Sequence, residues 1–355
     1  MNLQISDMTA TLAIIADDLT GALDASAPFA ARGLKVSVAL SPRDLARALA
    51  DRPQVVAVST ASREIPADLA RRAVTEVMAA LPPGVRIFKK VDSRLKGNIA
   101  AELDAIRFRR ALAAPAIPDF GRIVDQGCVT GFGVETPIPV AAALGAHWAQ
   151  TTIPDTDSID SLARALAASD ADLLIGARGL AEALAASLSD RAPRVQDRLP
   201  GPSALFVVGS RDPITLAQVA QVGAQGAMQI LDAPNGDLPP ALAPLADLRL
   251  VRATPGDTVL DGAEVAARLA RAVHPALTQG AATLLLTGGA TAEAVLARMG
   301  IVCLRLLGEC LPGMAVARPL TTEGISDLTI IAKSGGFGDD LALVRLAEMV
   351  GGVTK

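Results

Sequence analysis

The sequence predicts an α/β protein of two domains, each a mainly parallel sheet flanked by helices, with a ligand cleft between them. Three observations predict it. Short aliphatic runs followed by Ala- and Leu-rich helical stretches recur from one end of the chain to the other, the pattern of βα units around strands buried on both faces. The 355 residues exceed what one hydrophobic core usually accommodates. Between Ser189 and Ser203 the chain reads SDRAPRVQDRLPGPS, rich in Pro and charge and without apolar periodicity, which marks a linker. Domains are therefore expected over 1–195 and 201–355.

Taken in order, the aliphatic runs predict strands over 11–16, 35–40, 55–59 and 86–90 in the first half, the last followed by a helix over 99–112. In the second half strands are expected over 204–208, 228–231, 283–287, 303–306 and 328–332. Two stretches free of Asp, Glu, Lys and Arg, 136–154 and 213–231, have the composition of a membrane span but not its pattern. The first holds Pro137, Pro139, His147 and Gln150; the second spaces Gln218, Gln221, Gln225 and Gln229 by three and four, one polar face of an amphipathic helix. The Gly- and Pro-rich segment 115–139 matches neither a long helix nor a regular strand series, and reads as a substrate-covering loop or a short β excursion.

Composition removes several function classes. The apolar fraction of 51% comes from Ala, Leu and Val, and seven Phe, one Trp and no Tyr leave few platforms on which bases could stack. A net charge of -4 supplies no basic field, so neither nucleic acid nor membrane is expected as a partner. The three cysteines, Cys128, Cys303 and Cys310, form no CxxC pair, and with only His147 and His274 beside them a zinc cage cannot be assembled; all three read as reduced structural thiols. Residues 1–16 lack a basic flank followed by a long apolar core, which makes the cytoplasm the default location. His147-Trp148 reads as packing or surface, and without a Gly-x-Ser-x-Gly elbow there is no hydrolase logic.

Two constellations in the first half can carry chemistry. Ala16-Asp17-Asp18-Leu19-Thr20-Gly21 ends a strand in adjacent carboxylates just before a helix, at the sheet edge where α/β proteins bind ligands. One Asp suffices to cap the helix, so the second carboxylate exceeds structural need. Lys89-Lys90-Val91-Asp92-Ser93-Arg94-Leu95-Lys96-Gly97-Asn98 gathers cations, a carboxylate, a hydroxyl and an amide. Lys or Arg in such a loop can hold a substrate carboxylate while Asp92, Ser93 and Asn98 order hydroxyls; the plain alternative is a charged turn with Asn98 as cap.

The second half carries three small-residue turns after aliphatic strands: Gly209-Ser210-Arg211-Asp212-Pro213, Gly288-Gly289-Ala290-Thr291 and Lys333-Ser334-Gly335-Gly336-Phe337-Gly338. Glycine lets backbone N–H groups approach a phosphate, the following helix adds its positive end, and Lys333 would add a full charge. No turn matches the Walker pattern or the dinucleotide fingerprint.

Taken together, ADDLTGALD, KKVDSRLKGN, TGGAT, the stretch from Gly308-Glu309 to Pro312-Gly313 and KSGGFG, in that order, resemble the four-carbon acid sugar kinases. The resemblance covers most of the chain. It implies an N-terminal sugar-acid domain, a C-terminal nucleotide domain, and phosphorylation of acids such as erythronate, threonate or 3-oxo-tetronate with ATP and Mg²⁺. Asp17, Asp18, Lys90, Asp92, Ser93, Gly97 and Asn98 fall on the family's sugar-acid motifs; Ser210, Gly288, Gly289, Ala290, Thr291 and Gly335 fall on its nucleotide motifs. Asp155-Thr156-Asp157 with Leu162, and Gly176 to Leu180, resemble the segments closing the first domain. The chain departs from the family after Pro115-Ala116-Ile117-Pro118 and Gly121-Arg122, where it is shorter than usual, which bears on the substrate before it bears on ATP.

On this reading Asp17 or Asp18 orients and deprotonates the attacking hydroxyl while its neighbour helps hold Mg²⁺, and Lys90 and Arg94 grip the substrate carboxylate. Gly308, Glu309 and Lys333 join the nucleotide side. Two alternatives stay open: a non-catalytic sugar-acid or nucleotide sensor, and a kinase for another small polyol or keto acid. A homodimer is the commonest assembly for such chains.

Overall fold

The computed structural model describes residues 10–239, 245 and 247–350, so the first nine residues of the stretch read as lacking a leader lie outside the described residues. The chain divides into two compact units, Met1–Pro193 and Arg194–Lys355.

The first unit runs β1 (Leu12–Ala16), α1 (Leu19–Ala31), β2 (Val36–Ala39), α2 (Leu45–Ala50), β3 (Val55–Ser59), α3 (Ala67–Ala80), β4 (Arg86–Lys90), α4 (Ile99–Leu103), β5 (Ala111–Ala114), β6 (Arg122–Asp125), β7 (Cys128–Gly131), β8 (Ile138–Pro139), α5 (Val140–Leu144), β9 (Thr151–Thr152), α6 (Ile159–Ala167), β10 (Leu173–Gly176) and α7 (Arg178–Leu188). Its main sheet has the order β2-β3-β1-β4-β10-β5-β9, and every pairing in it is parallel. β1, β2 and β3 are buried along their whole length, as strands covered by helices on both faces must be. Register brings Ala16 beside Ser59 and Lys90, and Lys90 beside Gly176, so the segments leaving four strands start from one edge.

Two expectations change here. The helix expected over 99–112 stops at Leu103, and Ala111–Ala114 form a fully buried strand beside β10. Alanine favours helix intrinsically, but the Asp172 carboxylate accepts the backbone N–H groups of Arg109 and Arg110, both at 3.0 Å, and steers the chain into the sheet. The 115–139 segment is the β excursion: β6, β7 and β8 form an antiparallel meander. Gly131 is required in it, because its φ is +93° and a Cβ there would strike the Gly121 carbonyl.

The second unit runs β11 (Ala204–Val208), α8 (Pro213–Gln225), β12 (Gln229–Pro234), β13 (Leu248–Thr254), α9 (Gly262–Val273), β14 (Thr283–Thr287), α10 (Gly289–Arg298), β15 (Cys303–Leu311), β16 (Met314–Thr321), β17 (Gly324–Ile325), β18 (Thr329–Lys333) and α11 (Ala342–Met349). The order is β12-β13-β11-β14-β18-β16-β15, parallel except for β16, which runs against both neighbours. Phe206, Leu250, Leu285 and Ile331 lie in its core beside Val219, Leu343 and Leu346.

The strand expected over 303–306 extends to Leu311 and turns back through β16 as a hairpin. Helix α8 carries a second correction. Gln218, expected on its polar face, is fully buried and donates from Nε2 to the carbonyls of Phe337 at 3.0 Å and Asp339 at 2.9 Å. Among the described residues no helix is long and apolar enough to cross a membrane.

Candidate active site

Asp17 and Asp18 leave β1 in different roles. Asp18 takes an extended backbone and caps α1, its Oδ1 accepting from Gly21 N at 2.7 Å and its Oδ2 from Thr20 Oγ1 at 2.9 Å. Asp17 is 2% exposed and faces Arg63, which arrives because the chain after β3 goes on pairing with β1: Thr60 N donates to Ala16 O and Ser62 N to Asp17 O. Arg63 Nε and Nη2 bond the Asp17 oxygens at 2.7 and 2.9 Å, Nη1 reaches Asp18 Oδ2 at 2.8 Å, and Asp92 Oδ2 stands at 3.9 Å. Burial pushes the Asp17 carboxyl up, but the Arg63 bonds and charge, with Lys89 and Lys90, outweigh it and hold Asp17 below the ordinary carboxylate range.

The Arg63 loop is held from beneath by buried polar groups. Asn98 Nδ2 donates to the carbonyls of Ser62 and Ile65, both at 2.8 Å. Ser62 Oγ donates to Glu102 Oε1 and meets Thr60 Oγ1 at 2.6 Å. Glu102 Oε2 forms an ion pair with fully buried Lys89 at 3.0 Å. Gly97, at φ +95°, lets this loop pass close to Asp17: a Cβ there would lie 3.2 Å from Oδ2.

The rest of the cationic loop folds on itself. Asp92 Oδ1 accepts from Arg94 N at 2.8 Å, and Lys90 Nζ donates to Val91 O at 2.9 Å. Ser93 is buried and its hydroxyl accepts from Arg122 of β6 at 2.5 Å.

In the second unit the three glycine turns follow β11, β14 and β18, adjacent parallel strands whose last residues Val208, Thr287 and Lys333 pair in register. All three therefore open on one edge. A Cβ on Gly209 would strike Thr291 Oγ1, one on Gly335 would strike Ser210 Oγ, and one on Gly288, at φ +96°, would lie 3.3 Å from Ser210 N. Gly288 cannot cap α10 with a side chain, which leaves the first N–H groups of that helix for a ligand. This cradle of glycine backbone and helix N-terminus fits nucleotide phosphates.

Lys333 lies under its turn. It is fully buried, and Nζ donates to Thr215 Oγ1, Ser334 O and Gly335 O at 3.1–3.2 Å. Burial, opposed by Asp212, lowers its pKa to about 8. Gly308 and Glu309 lie on β15, separated from β18 by β16.

The geometry thus gathers Asp17, Asp18, Asp92, Gly97 and Asn98 around Arg63, and Ser210, Gly288, Thr291 and Gly335 around one strand edge. Two expected site groups have partners within the protein. Arg63 already spans the Asp17 and Asp18 carboxylates, so a Mg²⁺ ion on that pair would share their oxygens with the guanidinium. Asn98 commits its Nδ2 to the Arg63 loop, and its Oδ1 is the atom that can accept from a ligand hydroxyl. Sequence reading passed over Arg63, Glu102 and Arg122; the available signal was the polar stretch Ser59-Thr60-Ala61-Ser62-Arg63 at a carboxyl strand end.

Residues 12–141 match the sugar-binding N-terminal domain model and residues 245–343 the nucleotide-binding C-terminal domain model. The D-threonate kinase of Bordetella bronchiseptica is 30% identical, over 96% of this chain and 97% of its own. The 3-oxo-tetronate kinase of Methylobacterium radiotolerans is 27% identical over 97% and 100%. A solved Haemophilus influenzae protein of family DUF1537 covers 95% of this chain and 99% of its own with a TM-score of 0.66 at 19% identity, a likeness of fold. The chain belongs to the four-carbon acid sugar kinase family, and is a phosphotransferase with an alcohol group as acceptor.

Proposed function

We propose that the protein phosphorylates a hydroxyl of a four-carbon sugar acid of the erythronate, threonate or 3-oxo-tetronate type, with ATP as donor. The observation that carries this reading is the Asp17-Asp18 pair clamped by Arg63 at the edge of a parallel sheet, beside a loop of cations and hydroxyl-ordering groups. The names of the relatives support the substrate class. The ATP phosphates sit on the Gly209, Gly288 and Gly335 turns of the second unit; the acid sits on the first.

Asp18 orients the attacking hydroxyl and takes its proton. Its carboxylate is the more accessible of the two and is immobilised by Gly21, Thr20 and Arg63, the preorganisation that phosphoryl transfer needs most. Asp17 anchors Arg63 in the buried layer. A Mg²⁺ ion brought by the nucleotide would supply neutralisation of phosphate charge. The kinase names of relatives that match nearly the whole chain favour catalysis over the sensor alternative.

The test is ADP release from Mg-ATP with a panel of four-carbon acids, for the wild type and Asp18→Asn. Turnover on at least one acid, lost in Asp18→Asn while ATP still binds, is the expected result; turnover on no acid, or full turnover in the variant, overturns the reading.

A further inference from the structure

The antiparallel meander of the first unit carries a buried cation, Arg122, that meets no carboxylate among the described residues. Arg122, the first residue of β6, is 8% exposed. Its Nε and Nη2 donate to Phe132 O at 3.1 and 2.9 Å and its Nη1 to Ser93 Oγ at 2.5 Å. Two of the five guanidinium donors stay uncommitted. Among the described residues no carboxylate pairs with Arg122; Asp92, whose field it feels, is turned to Arg63 and to Arg94 N.

The meander around Arg122 is built to hold it. Phe132 N donates to Gly121 O at 2.9 Å, which points the Phe132 carbonyl at the guanidinium, and the positive φ of Gly133 keeps that turn clear, with a Cβ position only 3.2 Å from Arg122 Nη2. Burial depresses the Arg122 pKa, the Arg94 charge depresses it further, and Asp92 opposes both. A guanidinium taken out of water beside a second cation is costly unless an anion arrives, and its planar fork matches a carboxylate.

We propose that Arg122 is the carboxylate anchor of the substrate site, its two open donors gripping the acid while Ser93 and Phe132 fix the fork, so that it selects sugar acids over neutral polyols. This rests on the sugar-acid reading above and adds one element to it: a planar two-point grip from the meander, beside Lys90, whose ammonium gives one of its three donors to Val91 O.

The experiment is calorimetric titration of wild type, Arg122→Gln and Arg122→Lys with D-threonate and D-erythronate and with the neutral tetritols of the same length, alongside the KM for ATP. In Arg122→Gln, acid affinity should fall by about a hundredfold, with the KM for ATP within about twofold of wild type as a check on the fold. Arg122→Lys should recover only part of the loss, because an ammonium cannot bind both oxygens in the same plane. Acid affinity in Arg122→Gln within about threefold of wild type, or an equal loss for acid and tetritol, overturns the anchor. Wild type that binds acid without releasing ADP refutes the kinase-substrate reading while the affinity ratio still tests the anchor; wild type that binds neither acid overturns the anchor directly.

Discussion

Arg63 decides the charge state of the Asp17 carboxyl. With Arg63 present, the Asp17 carboxyl titrates below its unfolded value of 3.8, so its contribution to stability is present above that value and lost as pH falls through the lower folded one. Arg63→Met leaves burial as the largest influence on Asp17. The folded pKa then rises above the unfolded one, and the contribution is lost as pH rises through it. Urea unfolding between pH 4 and 8 should show a loss of about 3 kcal/mol at neutral pH that shrinks in acid. A variant with the pH dependence of wild type would show that Arg63 does not control Asp17. Lys333 has the same sign as wild-type Asp17, at higher pH. Its pKa falls from 10.5 unfolded to about 8 folded, so between these values the unfolded chain holds the extra proton and this group's contribution to stability grows as pH rises. Lys333→Met should flatten the stability difference over that window. It should also raise the KM for nucleotide about tenfold at neutral pH, because the turn loses its bonds to Nζ.

At the scale of elements, what matters is that neighbouring loops share an edge. Strands β11, β14 and β18 end in register, so the turns that follow them press on one another through glycines. Gly335→Val places carbon against Ser210 Oγ and Asp212 Cβ, the latter at 3.1 Å. The turns must separate, and steady-state kinetics should show the KM for ATP raised by about tenfold or more with acid affinity unchanged. An equal loss on both substrates would mean that the turn does not belong to the nucleotide side. The Arg63 loop is a second case: Asn98 ties it to the start of α4, and Glu102 of the same helix supports it through Ser62. A short helix with few residues of its own to bury is retained as the floor of the site.

At the scale of the whole molecule, the two compact units part at Pro193. Arg191 and Arg194 are exposed there, whereas Gln196 N bonds Glu309 O at 2.7 Å and Leu199 N bonds Met349 O at 2.9 Å, tethering the chain from Gln196 onward to the second unit. Limited trypsin digestion followed by mass spectrometry should therefore find first cuts after Arg191 or Arg194, giving two protected fragments. First cuts inside either unit would contradict that division. The units should also separate kinetically, with Arg63 and Arg122 variants moving the constants for the acid and Lys333 and Gly335 variants those for the nucleotide.

Much of this was local and therefore readable. Strands such as 55–59, 204–208 and 283–287 are short, largely apolar runs bounded by turn residues, and a strand buried on both faces needs no more pattern than that. The carboxylates after β1 and the glycine turns were legible for the same reason, since each lies within a few residues of the strand that positions it. What escaped depended on distant partners. Ala111–Ala114 became a strand because β10 lies beside it, and Gln218 became a core residue because two carbonyls near Phe337 receive it. Arg63 reaches Asp17 across 46 residues and Arg122 reaches Ser93 across 29. The amino-acid sequence by itself determined the locally patterned strands and the residue types at their carboxyl ends; the tertiary structure decided which cation meets which carboxylate, because strand order, which no local period encodes, sets who is adjacent.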